Sequence, residues 1–275
     1  MNKLLFGTAG IPLCTEKRTT FNGIAEVRSL GLDAMELEFV QSVNIAKERT
    51  GEVKKTAEKN NVILTCHGQY FINLASLEKP KVHASIQRIM NAATVADMCG
   101  AYSMTFHPGF YMNQSKEKVY NSIKKNMEEV MKKVKDANLK IWIRPETTGK
   151  ATQFGDLKEL CTLSAEFDQV LPCIDFAHLH ARTQKLNTKE EFHDMLSFYE
   201  KILGKNALKN MHIHMAGIHY SEKGERNHLE LKNSDMNYKD LMKTLKEFNC
   251  AGVVISESPN IEKDALLMQK YFESI

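Results

Sequence analysis

Residues 103–146 read SMTFHPGFYMNQSKEKVYNSIKKNMEEVMKKVKDANLKIWIRPE, and their pattern decides the fold. A short apolar run, Ser103 to His107, precedes a long stretch in which Val119, Ile123, Met127, Val130, Met131 and Val134 recur every three or four residues. That spacing puts them on one face of a helix over Ser115 to Ala137, with lysines and glutamates opposite. A second short run, Lys140 to Glu146, follows. Strand, amphipathic helix, strand is a βαβ unit, whose right-handed crossover makes the two strands parallel and lays the helix on their sheet.

The same alternation extends in both directions. Strand candidates are Leu4 to Gly7, Ala34 to Phe39, Val62 to His67, Ser103 to His107, Lys140 to Glu146, Leu171 to Phe176, Met211 to Met215 and Val253 to Glu257, and Lys81 to Cys99 is a second clear helix. All are short, as strands buried on both faces are. Eight such pairs in 275 residues predict an α/β fold, a single (β/α)8 TIM barrel over residues 1–275. A doubly wound open sheet is the rival. The turn after the first run, Gly7-Thr8-Ala9-Gly10-Ile11-Pro12, lacks the glycine spacing of a dinucleotide fold and puts proline where its helix would start.

Composition narrows the class. With 43% apolar and 26% charged residues, disordered, collagen-like and disulfide-scaffold chains are excluded. A formal charge of +3 is too small to mark a nucleic-acid binder by itself, so any basic footprint must be local. No window reaches the 18 or so apolar residues of a membrane span, and Gly7, Gly10 and Pro12 interrupt the opening apolar run before it reaches signal-peptide length. The six cysteines form no C-x-x-C pair, so reduced thiols and a cytoplasmic location are expected; the near-neutral charge fits a monomer, and the hydropathy gives no membrane partner.

In a barrel, chemistry collects where strands end at their C-terminal side. Six of the eight ends carry ligand-type residues: His67, His107, Glu146, Asp175 with His178, His212 with His214, and Glu257. One histidine on an apolar strand is ordinarily a satisfied core residue; six strand ends together are not so explained. Three imidazoles, His67, His107 and His212, with the carboxylates Glu146, Asp175 and Glu257 supply the nitrogen and oxygen donors that zinc accepts, with manganese or iron as alternatives. Six donors exceed one tetrahedral ion, so two or more metals sharing a carboxylate are expected, the arrangement of two-metal phosphoester hydrolysis. Cys66 and Cys173 should point away along the pleat or lie outside the ligand shell.

Taken together, Gly7-Thr8-Ala9-Gly10, His67-Gly68-Gln69-Tyr70-Phe71-Ile72-Asn73-Leu74, Phe106-His107-Pro108-Gly109, Pro145-Glu146-Thr147-Thr148-Gly149, Cys173-Ile174-Asp175 with His178, Met211-His212 and Glu257-Ser258-Pro259 resemble the endonuclease IV family in order and spacing. These are metal-dependent apurinic/apyrimidinic endonucleases on a xylose-isomerase-like TIM barrel. The resemblance implies that His67 and His107 bind one zinc, that Glu146 bridges it to a second, and that Asp175, His212 and Glu257 complete the second site. His178 fits a third. There the family's Asp-x-His element reads Glu225-Arg226-Asn227-His228, so either Glu225 and His228 replace the usual ligands on a shifted loop or that site is weakened. His214 shares the inward face with His212 and is a further candidate. Tyr70 and Phe71 fall where the family inserts residues into DNA at the abasic site, and Lys79, Lys81, Lys116, Lys118, Lys150 and Lys223 lie in or beside loops that could meet phosphate.

The implied activity is zinc-dependent hydrolysis of the phosphodiester 5′ to an abasic site in duplex DNA, as in base excision repair, with two or three Zn2+ per chain or Mn2+ instead. Catalysis would rest on Glu146, with Glu257 or Asp175 orienting the attacking water. Two rivals remain: a single-metal sugar isomerase or epimerase of the same barrel family, and a non-catalytic binder of abasic DNA.

Overall fold

A computed structural model describes residues 1–275. Eight strands form one parallel sheet: β1 (Leu4–Ala9), β2 (Ala34–Glu38), β3 (Ile63–His67), β4 (Ser103–Phe106), β5 (Trp142–Pro145), β6 (Cys173–Asp175), β7 (Met211–Met215) and β8 (Gly252–Ser256). Hydrogen bonding runs in the order β5-β4-β3-β2-β1-β8-β7-β6. Isolated parallel bridges, Ile143 with Val170 and Glu146 with Cys173, then join the two ends. The expected barrel is therefore observed, with helices between consecutive strands.

Local chemistry explains the helix bounds. Ser115 caps Lys116–Asp136 by accepting from the Lys118 amide, and Val119, Ile123, Met127, Val130 and Val134 are buried along it. Each such side chain contributes roughly 1.5–3 kcal/mol when fully buried. Capping boxes open Leu157–Ser164 (Asp156 with Glu159) and Lys189–Leu203 (Thr188 with Glu191). Strand β6 is shorter than expected, because Pro172 has no amide hydrogen for a ladder and Phe176 already begins a helix whose cap is Asp175.

Two short antiparallel strand pairs, the second of them a hairpin, have no counterpart in the strand reading. Gly109–Phe110 pairs with Gln153–Phe154, and Gly217–Ser221 pairs with Gly224–Leu229. The second lacks an apolar run, so only its Lys223-Gly224 turn signals it. Most apolar side chains form one core between strands and helices. The barrel interior is different: Glu36, Thr65, Ser103, Arg144, Cys173 and His212, all polar or ionisable, are buried there. Cys66 packs in the apolar core, whereas Cys173 shares the face of Asp175 and sits beside His212 and His214.

Candidate metal centre

Alternation along the strands aims one set of side chains at the C-terminal mouth. His67 and Asp175 come from the last residues of β3 and β6, His214 from β7, and His107, Glu146 and Glu257 from the first residues beyond their strands. The helix Phe176–Thr183 starts on Asp175, whose Oδ1 accepts from the His178 amide at 2.7 Å. That cap leaves Asp175 Oδ2 buried without a hydrogen-bond partner.

The donors fall into overlapping groups: His67, His107 and Glu146; then Glu146, Asp175, His214 and Glu257; then Asp175, His178 and His228. Glu146 belongs to the first two and Asp175 to the last two. Within these groups the spacings are His67 Nε2 to Glu146 Oε2 3.4 Å, His107 Nε2 to Glu146 Oε1 3.4 Å, His214 Nδ1 to Glu146 Oε1 3.2 Å and to Glu257 Oε1 3.3 Å. Most exceed good hydrogen bonds. Two donor atoms held about 2.0–2.1 Å from one tetrahedral ion are themselves about 3.4 Å apart.

The tautomers agree with that fit. His67, His178 and His228 each donate Nδ1–H to a backbone carbonyl, of Gly68, Thr147 and Glu257 respectively. A neutral ring so anchored presents a bare Nε2. The Nε2 atoms of His178 and His228 lie 3.4 Å apart, a spacing that a proton or a divalent cation held between the two nitrogens accounts for. No lysine or arginine pairs with any carboxylate of the cluster; the only basic groups beside them are imidazoles. Chemistry of the donor set therefore fits divalent ions.

Glu225 stands beside the third group because of a bulge. Tyr220 pairs with Glu225 and His219 with Asn227, so Arg226 is an extra residue in its strand. One inserted residue restores the two-residue phase, and Glu225 and His228 face the same side despite their spacing of three. Glu225 Oε2 lies 3.6 Å from His178 Nε2. The hairpin reaches the mouth because Gly149 and Gly224 let backbones touch: a Cβ on Gly149 would meet Glu225 Oε2 at 2.5 Å, and one on Gly224 would meet Gly149 O at 2.3 Å. Of the alternatives for this loop, the structure has the one in which Glu225 and His228 reach His178.

A model of the xylose isomerase-like TIM barrel matches residues 24–274. The chain belongs to that family. An uncharacterized protein of Methanocaldococcus jannaschii is 44% identical over 273 residues, covering 99% of this chain and 98% of its own. The resemblance to endonuclease IV also stands: a probable endonuclease 4 of Mycoplasma genitalium is 24% identical, covering 76% of this chain and 71% of its own. Among solved structures, endonuclease IV from Thermus thermophilus superposes with a TM-score of 0.74 at 16% identity, covering 98% of this chain and 100% of that one. A D-tagatose 3-epimerase-like protein gives 0.73 at 16% identity, covering 97% and 96%. At those identities the two structures share the fold of this family member and no more.

Metal-free, the site holds its charge balance with protons. Burial disfavours the His67 cation, but hydrogen bonding and attraction from Glu146 outweigh it and raise the ring to about 10. His214 and His178 rise likewise against burial, through neighbouring anions, and the facing imidazoles hold Glu146 well below the usual carboxylate range although burial raises it. Burial pushes Glu257 up to about 8.

One assigned residue is not where the motif puts it. His212 faces inward but lies a layer below the mouth, where its Nε2 is 3.0 Å from Glu36 Oε2 and its Nδ1 2.9 Å from Ser103 Oγ. His214 occupies the position beside Glu146 and Glu257 instead. Both point inward by alternation, and pairing decides between them: His214 stands level with Asp175, His212 with Cys173. Glu36, beside His212 and His214, was missed as well; Glu38 lies in phase with it on β2. Two acidic residues in phase within a buried strand were the available signal. Tyr70 and Phe71 stand at the rim, 55% and 61% exposed, with the Tyr70 ring 5.7 Å from that of His67.

Proposed function

We propose that this chain is a metal-dependent apurinic/apyrimidinic endonuclease, hydrolysing the phosphodiester 5′ to an abasic site in duplex DNA and leaving a 3′-hydroxyl. The observation that carries the reading is the overlap of three donor groups through Glu146 and Asp175 at one barrel mouth. His67 and His107 with Glu146 would hold one ion, Glu146, Asp175, His214 and Glu257 a second, and His178, His228 and Glu225 with Asp175 a third. Zinc suits this set of nitrogen and oxygen donors, and manganese is the alternative. Ions held there supply Lewis acidity at the phosphate and lower the pKa of a nearby water.

The remaining work falls to the chain. Glu146, fully buried, spans the groups with both oxygens, while the Thr105 hydroxyl donates to its Oε2 at 3.0 Å and fixes its rotamer. Glu257, at the edge of the mouth, orients the attacking water and takes its proton. Tyr70 and Phe71 fill the gap left by the missing base, which offsets the cost of turning the sugar out of the duplex. Of the rim lysines, Lys81 and Lys116 are paired with Glu78 and Asp156. Lys79, Lys118, Lys150, Lys223 and the exposed Arg226 carry the contacts to phosphate.

A second reading has its own observation. Glu146, Asp175, His214 and Glu257 by themselves make a complete single-metal site, which is what a sugar epimerase uses. Nicking of a duplex with one synthetic abasic site, beside an intact duplex, separates the two. Cleavage confined to the abasic strand, lost on chelation and restored by zinc or manganese, is expected; no cleavage with the metals restored rules the endonuclease out.

A further inference from the structure

Three imidazoles of the mouth are anchored alike and one in the opposite sense. His67, His178 and His228 give Nδ1–H to backbone carbonyls and turn Nε2 inward. His214 turns Nδ1 to Glu257 and to a 3.2 Å hydrogen bond with Glu146 Oε1, while its Nε2 stands 2.9 Å from Glu36 Oε1 inside the barrel, two buried atoms that make no hydrogen bond elsewhere. Glu36 is fully buried, has no lysine or arginine partner, and also receives the Thr65 hydroxyl at 2.7 Å. Its other oxygen lies 3.0 Å from His212 Nε2, and His212 is in turn held by Ser103.

We propose that Glu36 is the positioning residue of the metal centre, its carboxylate accepting Nε2–H of His214 so that Nδ1 is the nitrogen offered to a divalent ion together with Glu146, Asp175 and Glu257. The inference rests on reading the mouth as a metal centre, not on the choice of substrate. A neutral imidazole carries one N–H, and an anionic acceptor selects which nitrogen bears it while making the other more basic. Glu36 cannot rotate away, because Thr65 and His212 occupy its second oxygen. The arrangement also accounts for a carboxylate in the barrel core, where an unpaired charge is expelled or neutralised. His212, displaced from the metal shell, acts as the brace of Glu36.

The test compares Glu36→Gln, the exposed control Glu58→Gln and wild type by metal content after dialysis, zinc affinity and the visible spectrum of the Co2+-loaded protein. A glutamine replaces the anion by a neutral amide, so no charge holds the proton on Nε2 of His214 and its other nitrogen is less basic toward an ion. Glu36→Gln should therefore bind one ion roughly 10–100-fold more weakly, with an altered Co2+ spectrum, while Glu58→Gln keeps the wild-type count and spectrum. Wild-type stoichiometry, affinity and spectrum in Glu36→Gln overturn the proposal. Should that variant fail to fold, the zinc-loaded wild type decides: in 15N-histidine spectra, His214, identified by its absence in His214→Gln, is expected as the Nε2–H tautomer. An Nδ1–H tautomer there refutes the role of Glu36. A wild type that binds no divalent ion rejects the metal-centre reading itself, a separate and recognisable failure.

Discussion

His178 Nε2 and His228 Nε2 face each other at 3.4 Å, and both rings have their Nδ1–H committed to carbonyl oxygens. In the loaded protein a divalent ion between them would take the place of the proton that His178 holds when metal-free. Removing one partner should remove the cation, so His228→Ala is expected to lower the metal content by one equivalent while the barrel melts cooperatively as before. Metal analysis beside a thermal melt checks this; an unchanged metal count contradicts it.

The Arg226 bulge gives an unusual pair of expectations. Deleting Arg226 leaves Glu-Asn-His on a regular strand, with Glu225 and His228 still on one face, so metal content should persist. Deleting both Arg226 and Asn227 leaves Glu225 and His228 adjacent, on opposite faces of the strand, and should cost one ion. Equal metal loss in both variants would show that the bulge does not set the phase.

Glu146 belongs to two donor groups, so its loss should exceed the ~10–100-fold typical of an outer partner. Glu146→Gln is expected to reduce abasic-site nicking by more than about 100-fold with the circular dichroism spectrum unchanged. Retained nicking would end its bridging role.

Metal-free protein should lose stability as the pH rises. His67 titrates at about 10 in the fold against an ordinary 6.5, so its contribution is complete below pH 6.5 and disappears as the pH climbs through 10. Glu257, raised by burial to about 8 from 4.5, acts with the same sign in its own window. Glu146, held low, contributes above its ordinary range and loses that contribution only in acid, outside this window. The melting temperature of chelated protein should therefore fall from pH 6.5 toward 10, whereas bound ions replace the protons and flatten the profile. A flat profile for the chelated protein contradicts the proton-held site.

The rim aromatics have a distinct signature. Base–aromatic stacking is worth about 1–3 kcal/mol, so Phe71→Ala should weaken binding of abasic duplex by roughly 5- to 150-fold, measured by titration, with metal content unchanged. Wild-type affinity would mean that Phe71 does not touch DNA.

The barrel was legible in the sequence because buried parallel strands and amphipathic helices write different periods, as residues 103–146 do. The mouth was legible because ligand-type residues cluster at strand ends. The choice between His212 and His214 was not, since both satisfy alternation and only the pairing of β6 with β7 fixes their height. Glu36 escaped notice because its meaning depends on contacts with β3 and β7, distant in sequence. The bulge at Arg226 was equally hidden: a spacing of three places two residues on opposite faces of any regular strand.

Coupling between bound metal and cleavage at an abasic site is the decisive property. The measurement is metal content of the purified protein, paired with nicking of a single-abasic-site duplex and its intact control. Two or three divalent ions per chain, with cleavage only beside the abasic site and only in the metal-loaded form, is the expected result. One ion or none, with no cleavage after zinc or manganese is restored, would contradict it.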